Sequence, residues 1–222
     1  MTERRGYRDI DFGSVADRIN RVQEAGFSKT SRPFVLFLGP SAVGKSTIIE
    51  RLNILTNNAF GYVTPYTTRP TRPGESEKIS VTNEEFDAMD SEGKFIYVNP
   101  LYEAKYGTPW SLINGTLDSG RIPILDFPLK DIDKLRADTH DLVPIYIFPE
   151  NINSWYQFAL NTRRNTLSRL RTGLEELRRF ATSPLISISG ANQIRFAVVN
   201  KNGNVEESAQ AIIDFMLKKV VL

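Results

Sequence analysis

The chain has 222 residues, 28 Lys and Arg against 26 Asp and Glu, a net charge of +2, and no cysteine. That length suits one α/β domain with a substantial core and a small inserted lobe. The missing cysteines exclude a disulfide framework and a Cys-ligated zinc site, and a near-neutral balance forces no attraction to nucleic acid or membrane. The opening MTERRGYRDIDFG lacks the apolar core of a signal peptide, and no apolar run is long enough to cross a bilayer. A reducing, cytoplasmic setting is the expectation.

Residues 1–32 read as an N-terminal helical extension. Ser14 caps a short helix through Ala25, Gly26 stops it, and Val15, Ile19 and Val22 form a thin apolar stripe. The texture changes at Phe34-Val-Leu-Phe-Leu38, a continuous apolar run expected of a strand buried on both faces. Gly39–Gly44 breaks it, and Lys45–Leu55 reads as a helix with Ile48, Ile49, Leu52 and Leu55 on one side. Between Tyr62 and Gly107 short polar strands and turns dominate: TTRPTRPGE, then Lys78–Val81, then Phe95–Val98. Thr82 or Asn83 caps a helix through Met89 that Gly93 helps to end. Buried strands follow at Ile122–Phe127, Val143–Phe148 and Phe196–Val199. Helical patterns separate them, at Trp110–Asp118, Asn151–Leu160, Thr166–Phe180 and Val205–Val220. This alternation predicts an α/β fold: a parallel sheet with covering helices and a small lobe inserted after the first βα unit.

Gly39-Pro40-Ser41-Ala42-Val43-Gly44-Lys45-Ser46, followed by Thr47, fits G-x-x-x-x-G-K-[ST] between a buried strand and a helix. The glycines permit torsions that turn successive N–H groups toward an anion, and the helix start adds unpaired N–H groups and its dipole. Lys45 reaches β- and γ-phosphates, and the Ser46 hydroxyl suits magnesium. The expected ligand is a nucleoside triphosphate, ATP with Mg2+. Asp126 ends an apolar run and so projects from the carboxyl edge of a parallel strand, where it can hold the metal or one of its waters. Its alternative reading is an aspartate that starts the turn before Pro128.

Taken together, GPSAVGKS, TTRPTRPGE, Tyr106-Gly-Thr108, Ile124-Leu-Asp126, Arg169-Leu, Glu175-Glu-Leu177 and Val198-Val-Asn200 resemble the guanylate kinase family in order and spacing, over roughly residues 33–222. The resemblance implies a P-loop kinase core, an acceptor-binding lobe at about 62–107 and a short helical lid at about 161–171. It implies an ATP-dependent phosphotransferase acting on a nucleoside monophosphate, GMP foremost. By that resemblance Arg69 and Arg72 grip the acceptor phosphate, for which guanidinium forks are suited. Tyr106 adds a hydroxyl to the same phosphate, Thr108 stands beside the acceptor base, and Asn200 belongs to the donor adenine pocket. Arg169, with Arg163 and Arg164, would close over the transferring group beside Lys45. Without the family pattern, those arginines read as a solvated basic face.

Departures concentrate on the acceptor base. Pro65 and Tyr66 stand where the family places a serine, Tyr97 where it places a glutamate, and Pro128 where it places a second aspartate. Lys78 is nearest to a missing tyrosine. A site deprived of carboxylates loses its means of selecting base N–H groups. Two alternatives therefore stay open: a kinase with a non-guanine acceptor such as a phosphorylated ribose, and a non-catalytic interaction module of guanylate-kinase-like type. The only histidine, His140, follows Asp138 in a polar loop and suggests no general base.

Overall fold

The computed structural model describes residues 33–70, 78–101, 104–135, 142–161, 167–182, 194, 196–201 and 204–219. The expected helix Ser14–Ala25, together with Arg72, Arg163, Arg164 and His140, lies outside them, as does the side chain of Arg169.

Strand β1 (Phe34–Leu38) is buried at every position and sits centrally in a five-stranded parallel sheet. β2 (Phe60–Tyr62) and β7 (Ile122–Asp126) lie on one side of it, β8 (Leu142–Pro149) and β9 (Phe196–Asn200) on the other, in the order β2-β7-β1-β8-β9. The chain passes from β7 to β8 across β1, so the strand order reverses at β1. In open parallel sheets the carboxyl ends at such a switch point form the ligand crevice. Phe37 is in register with Asp126 and Leu38 with Tyr146, which sets the end of β1 between those two residues.

Helices cover the sheet as the apolar stripes require. Helix α1 (Lys45–Leu55) buries Ile48, Ile49 and Leu52 and packs against α6 (Val205–Lys219), which also lies on β9. α3 (Trp110–Asp118) packs on β7, and α4 (Ile152–Asn161) on α5 (Leu167–Thr182). Among the described residues no helix is long and apolar enough to cross a membrane.

A second sheet has the order β4-β3-β6-β5, from β3 (Tyr66–Thr67), β4 (Ile79–Ser80), β5 (Phe95–Leu101) and β6 (Ala104–Pro109). Helix α2 (Asn83–Ser91) leans on it through Phe86, stacked on Phe95 at 4.6 Å. Thr82 is the N-cap: its hydroxyl accepts from Glu85 N at 3.1 Å, and the Glu85 carboxylate accepts from Thr82 N at 2.8 Å. The pattern had not indicated β2 or β6. The former is three residues with a central glycine; the latter mixes Lys105, Tyr106 and Thr108 without apolar alternation.

The exposed capping box contributes stability without touching the phosphate loop. Replacing Thr82 by alanine is expected to lower unfolding free energy by about 1 kcal/mol. Urea denaturation would measure this, and ATP affinity should be unchanged.

Candidate phosphate-transfer site

The loop between β1 and α1 takes the left-handed conformation at three positions, with φ of 126° at Gly39, 64° at Ala42 and 95° at Gly44. Side chains are also excluded by contact. A Cβ on Gly39 would meet the Ile147 carbonyl oxygen at 2.4 Å, and one on Gly44 would meet Asn200 Nδ2 at 2.4 Å. Ser46 and Thr47, in the first turn of α1, are exposed.

The loop's polar groups are fixed from several elements. The Lys45 ammonium donates to the carbonyls of Gly39 and, at 3.2 Å, Pro40. It also lies 3.3 Å from Asp126 Oδ1 at the end of β7. Lys45 is largely buried and Asp126 half exposed, so this pair faces the crevice from below with its carboxylate still reachable. Asn200 Nδ2 donates to the Val43 carbonyl at 2.8 Å while its Oδ1 accepts from Ser208 Oγ at 3.2 Å. The Trp155 indole N–H donates to the Ser41 carbonyl at 2.9 Å. On α5, Glu176 Oε1 accepts from Gly39 N at 3.0 Å. Burial pushes the Glu176 carboxyl up, against the opposing pull of Lys45 and of its backbone donors.

On the second sheet, Arg69 Nε donates to the Tyr106 hydroxyl at 3.1 Å, with the two residues brought together by the β3–β6 pairing of Thr67 with Tyr106. Ser80 Oγ donates to the Arg69 carbonyl at 2.8 Å and holds the turn in place. Lys78 Nζ stands 5.4 Å from the centre of the Tyr106 ring, a cation–π distance. Three sequence features thus converge: two expected phosphate ligands and a lysine near the place of the absent tyrosine. Thr108 pairs with Tyr97 across β5 and β6.

Tyr97 connects the two sheets. Its ring packs on Phe127, the residue after Asp126, at 4.8 Å. It is 8% exposed and its phenol stands beside the Asp131 carboxylate. Burial, together with that carboxylate, pushes the Tyr97 phenol far above its ordinary range. Asp131 is buried in a 3-10 turn, Leu129–Lys134, with Lys134 Nζ 2.6 Å away and Lys130 Nζ 3.7 Å away. Its burial opposes ionisation, but Lys134, Tyr97 and Lys130 outweigh that and hold the carboxyl below its ordinary range. Sequence reasoning met Glu176 only within the Glu175-Glu-Leu177 element and missed Asp131 and Trp155; Glu176 and Trp155 act on loop residues distant in the chain.

Among the described residues no group of three or more His, Cys, Asp or Glu could hold a metal. The oxygen donors present, Ser46 and Asp126, nevertheless suit magnesium, which takes one or two protein ligands and completes its shell with water and substrate phosphates.

A family profile described as "Guanylate kinase" matches residues 30–219. The guanylate kinase of Streptococcus agalactiae is 33% identical over 121 residues, which make up 53% of this chain and 58% of the relative. That of Streptococcus pyogenes is 30% identical over 122 residues, 54% of this chain and 58% of the relative. The chain therefore aligns with a little over half the length of these curated relatives. The crystal structure of guanylate kinase from Anaplasma phagocytophilum superposes with a TM-score of 0.56 at 21% identity, covering 86% of this chain and 87% of that one. It has the same fold.

The Asp131 contacts make a prediction with a defined sign. Its carboxyl titrates below the ordinary range in the folded protein, so its contribution is fully present above about pH 4 and is lost as pH falls through the folded value. Asp131→Asn should cost about 1–3 kcal/mol at neutral pH by weakening the bonds of a buried carboxylate. The variant's stability should fall less steeply on acidification, as measured by denaturation at a series of pH values.

Proposed function

The chain belongs to the guanylate kinase family, and on that premise we propose that it transfers the γ-phosphoryl group of ATP to the phosphate of a nucleoside monophosphate, GMP foremost. The observation that carries this reading is the pairing of two phosphate-handling centres. Lys45 and Asp126 lie 3.3 Å apart beneath a left-handed phosphate loop. Arg69 and Tyr106, 3.1 Å apart, occupy the second sheet. Tyr97 and Phe127 pack together between the two sheets.

In this mechanism the loop N–H groups and Lys45 bind the donor phosphates, and Arg69, Tyr106 and Arg72 hold the acceptor phosphate. An acceptor oxygen, already ionised at neutral pH, forms a bond to the γ-phosphorus as the bond to the β–γ bridging oxygen breaks, and ADP leaves. No general base is needed, because positioning and charge neutralisation supply the catalysis. Ser46 and Asp126 would hold magnesium, which when bound offsets phosphate charge. Asn200 bears on the donor site through the Val43 carbonyl. Arg163, Arg164 and Arg169 are assigned to a lid over the transferring group, and Lys78 is added to the cations around the acceptor phosphate.

One observation favours a second acceptor class. Tyr97 stands where the family reads guanine with a glutamate, and its phenol is buried beside the Asp131 carboxylate. A phenol so placed offers a base fewer acceptor positions than a carboxylate does. A phosphorylated acceptor without guanine, such as a phosphorylated ribose, fits that loss. The interaction-module reading has less support, since Lys45, Ser46, Asp126 and Arg69 are all present.

Two variants separate the centres. Lys45→Ala should lower kcat by about a thousandfold, the range lost when one charge-stabilising donor is removed from a transition state. Unchanged ATP-dependent transfer would refute the assignment. Arg69→Ala should raise the acceptor KM by about tenfold or more while leaving ATP affinity intact, as expected for the loss of a charge-assisted phosphate contact. A fall confined to ATP affinity would place Arg69 on the wrong substrate.

A further inference from the structure

The Glu175-Glu-Leu177 element has no part in the transfer chemistry just proposed, yet one of its carboxylates reaches the phosphate loop. We infer that Glu176 is a positioning residue for the donor site: it fixes the first residue of the loop, and through it Lys45, while tying the loop to helix α5. The inference rests on the donor-site reading above.

Gly39 is gripped at both ends. Its N–H donates to Glu176 Oε1 at 3.0 Å, and its carbonyl accepts from the Lys45 ammonium. No side chain can help to hold it, because a Cβ there would run into the Ile147 carbonyl oxygen at 2.4 Å. Restraint of this residue must come through its backbone groups, and Glu176 supplies one of the two bonds. The same carboxylate oxygen accepts from Leu129 N at 3.5 Å, at the start of the turn that follows β7 and Asp126. One side chain therefore joins the ends of β1 and β7, the two strands that deliver Lys45 and Asp126.

Glu176 is itself firmly placed. The Tyr146 hydroxyl donates to the Glu176 carbonyl at 3.5 Å, and the Tyr146 ring stacks on Phe180 of the same helix at 4.0 Å. Nearby, α5 approaches the loop so closely at Gly173 that a Cβ would meet the Trp155 ring at 2.8 Å and Pro40 Cβ at 3.3 Å. Trp155, on α4, donates to Ser41. The helices on either side of residues 162–166, within the expected lid, thus touch three consecutive loop residues, Gly39, Pro40 and Ser41. A buried carboxylate costs stability unless its bonds are made. Its presence beside a phosphate-binding loop, where it would repel a bound anion, calls for a geometric role of this kind.

The test uses the full chain and three variants: Glu176→Leu, which keeps side-chain bulk and removes the acceptor; Glu176→Gln, which keeps the acceptor and removes the charge; and the exposed neighbour Glu175→Ala. The readouts are the Kd for ATP with magnesium, the KM for GMP, and kcat. Glu176→Leu should weaken ATP binding by about tenfold and lower kcat, with the GMP KM within about twofold of the parent, as for a lost bond to a charged acceptor. Glu176→Gln should recover ATP affinity to within about threefold, because its carbonyl oxygen still accepts from Gly39 and Leu129. Glu175→Ala should match the parent. Wild-type ATP affinity in Glu176→Leu overturns the inference. So does an equal loss of ATP and GMP affinity that glutamine does not rescue, which would mark a general packing defect. Lys45→Ala run in parallel separates the two readings. If it abolishes transfer while Glu176→Leu binds ATP normally, only the Glu176 inference fails; if it leaves transfer unchanged, the donor-site reading fails.

Discussion

A phosphate loop has to hold its backbone in a conformation that most residues avoid while keeping its N–H groups turned toward an anion. Here that requirement falls on three left-handed positions, Gly39, Ala42 and Gly44. Ala42 carries a side chain in that region and so stores on the order of 1 kcal/mol of strain. The surroundings oppose relaxation. Lys45 holds Gly39 and Pro40, Trp155 holds Ser41, Asn200 holds Val43, and Glu176 holds Gly39 from the other end. Four elements of the fold contribute these contacts, two from α1 and one each from α4, α5 and β9. The parallel sheet serves the same end: registering Phe37 with Asp126 brings the carboxylate to Lys45.

Charge is distributed in the same spirit. Lys45 sits under the donor loop, and Arg69 and Lys78 flank Tyr106 on the second sheet. Anionic groups on two substrates repel in water, and in the proposed reaction cations fixed on separate, packed elements would offset that repulsion without reorganising. The sheets meet at Tyr97 and Phe127, where the apolar contact fixes the second sheet relative to Asp126. Below it Asp131 is buried beside Tyr97 and paired through Oδ1 with Lys134, while its Oδ2 has no hydrogen-bond partner. In the proposed reading the departures at Pro65, Tyr97 and Pro128 fall on the base-facing side, while Lys45, Asp126, Arg69 and Tyr106 are present to handle phosphate.

Features contiguous in the chain were legible in its sequence. The run Phe34–Leu38 followed by Gly39–Ser46 carries strand, loop and helix start in one motif, because spacing alone determines what those backbone groups can reach. The described helices were likewise readable from their apolar stripes, and the start of α2 as a cap at Thr82 or Asn83, a choice made only by the bonds between Thr82 and Glu85. Strands β2 and β6 were not, since their pairing depends on partners elsewhere and not on apolar alternation. The same limit hid the supports of the loop. Glu176 lies 137 residues from Gly39, and Trp155 lies 114 from Ser41. No local pattern distinguishes these side chains from ordinary helix residues until the sheet has brought the segments together. Tyr97 was visible as a departure from the family, but its placement beside Asp131 depended on a turn, Leu129–Lys134, that lacks a periodic signal.

The central claim is that one chain carries both a donor and an acceptor phosphate site. Its most direct test is ADP formation by the full chain with ATP and magnesium against a panel of GMP, dGMP, AMP, UMP, CMP and phosphorylated ribose, with the phosphorylated product identified by mass. ADP and a new phosphoanhydride or phosphoester are expected in equal amounts with at least one member of the panel, and none without an acceptor. Tight ATP binding with no turnover on any of them would contradict it.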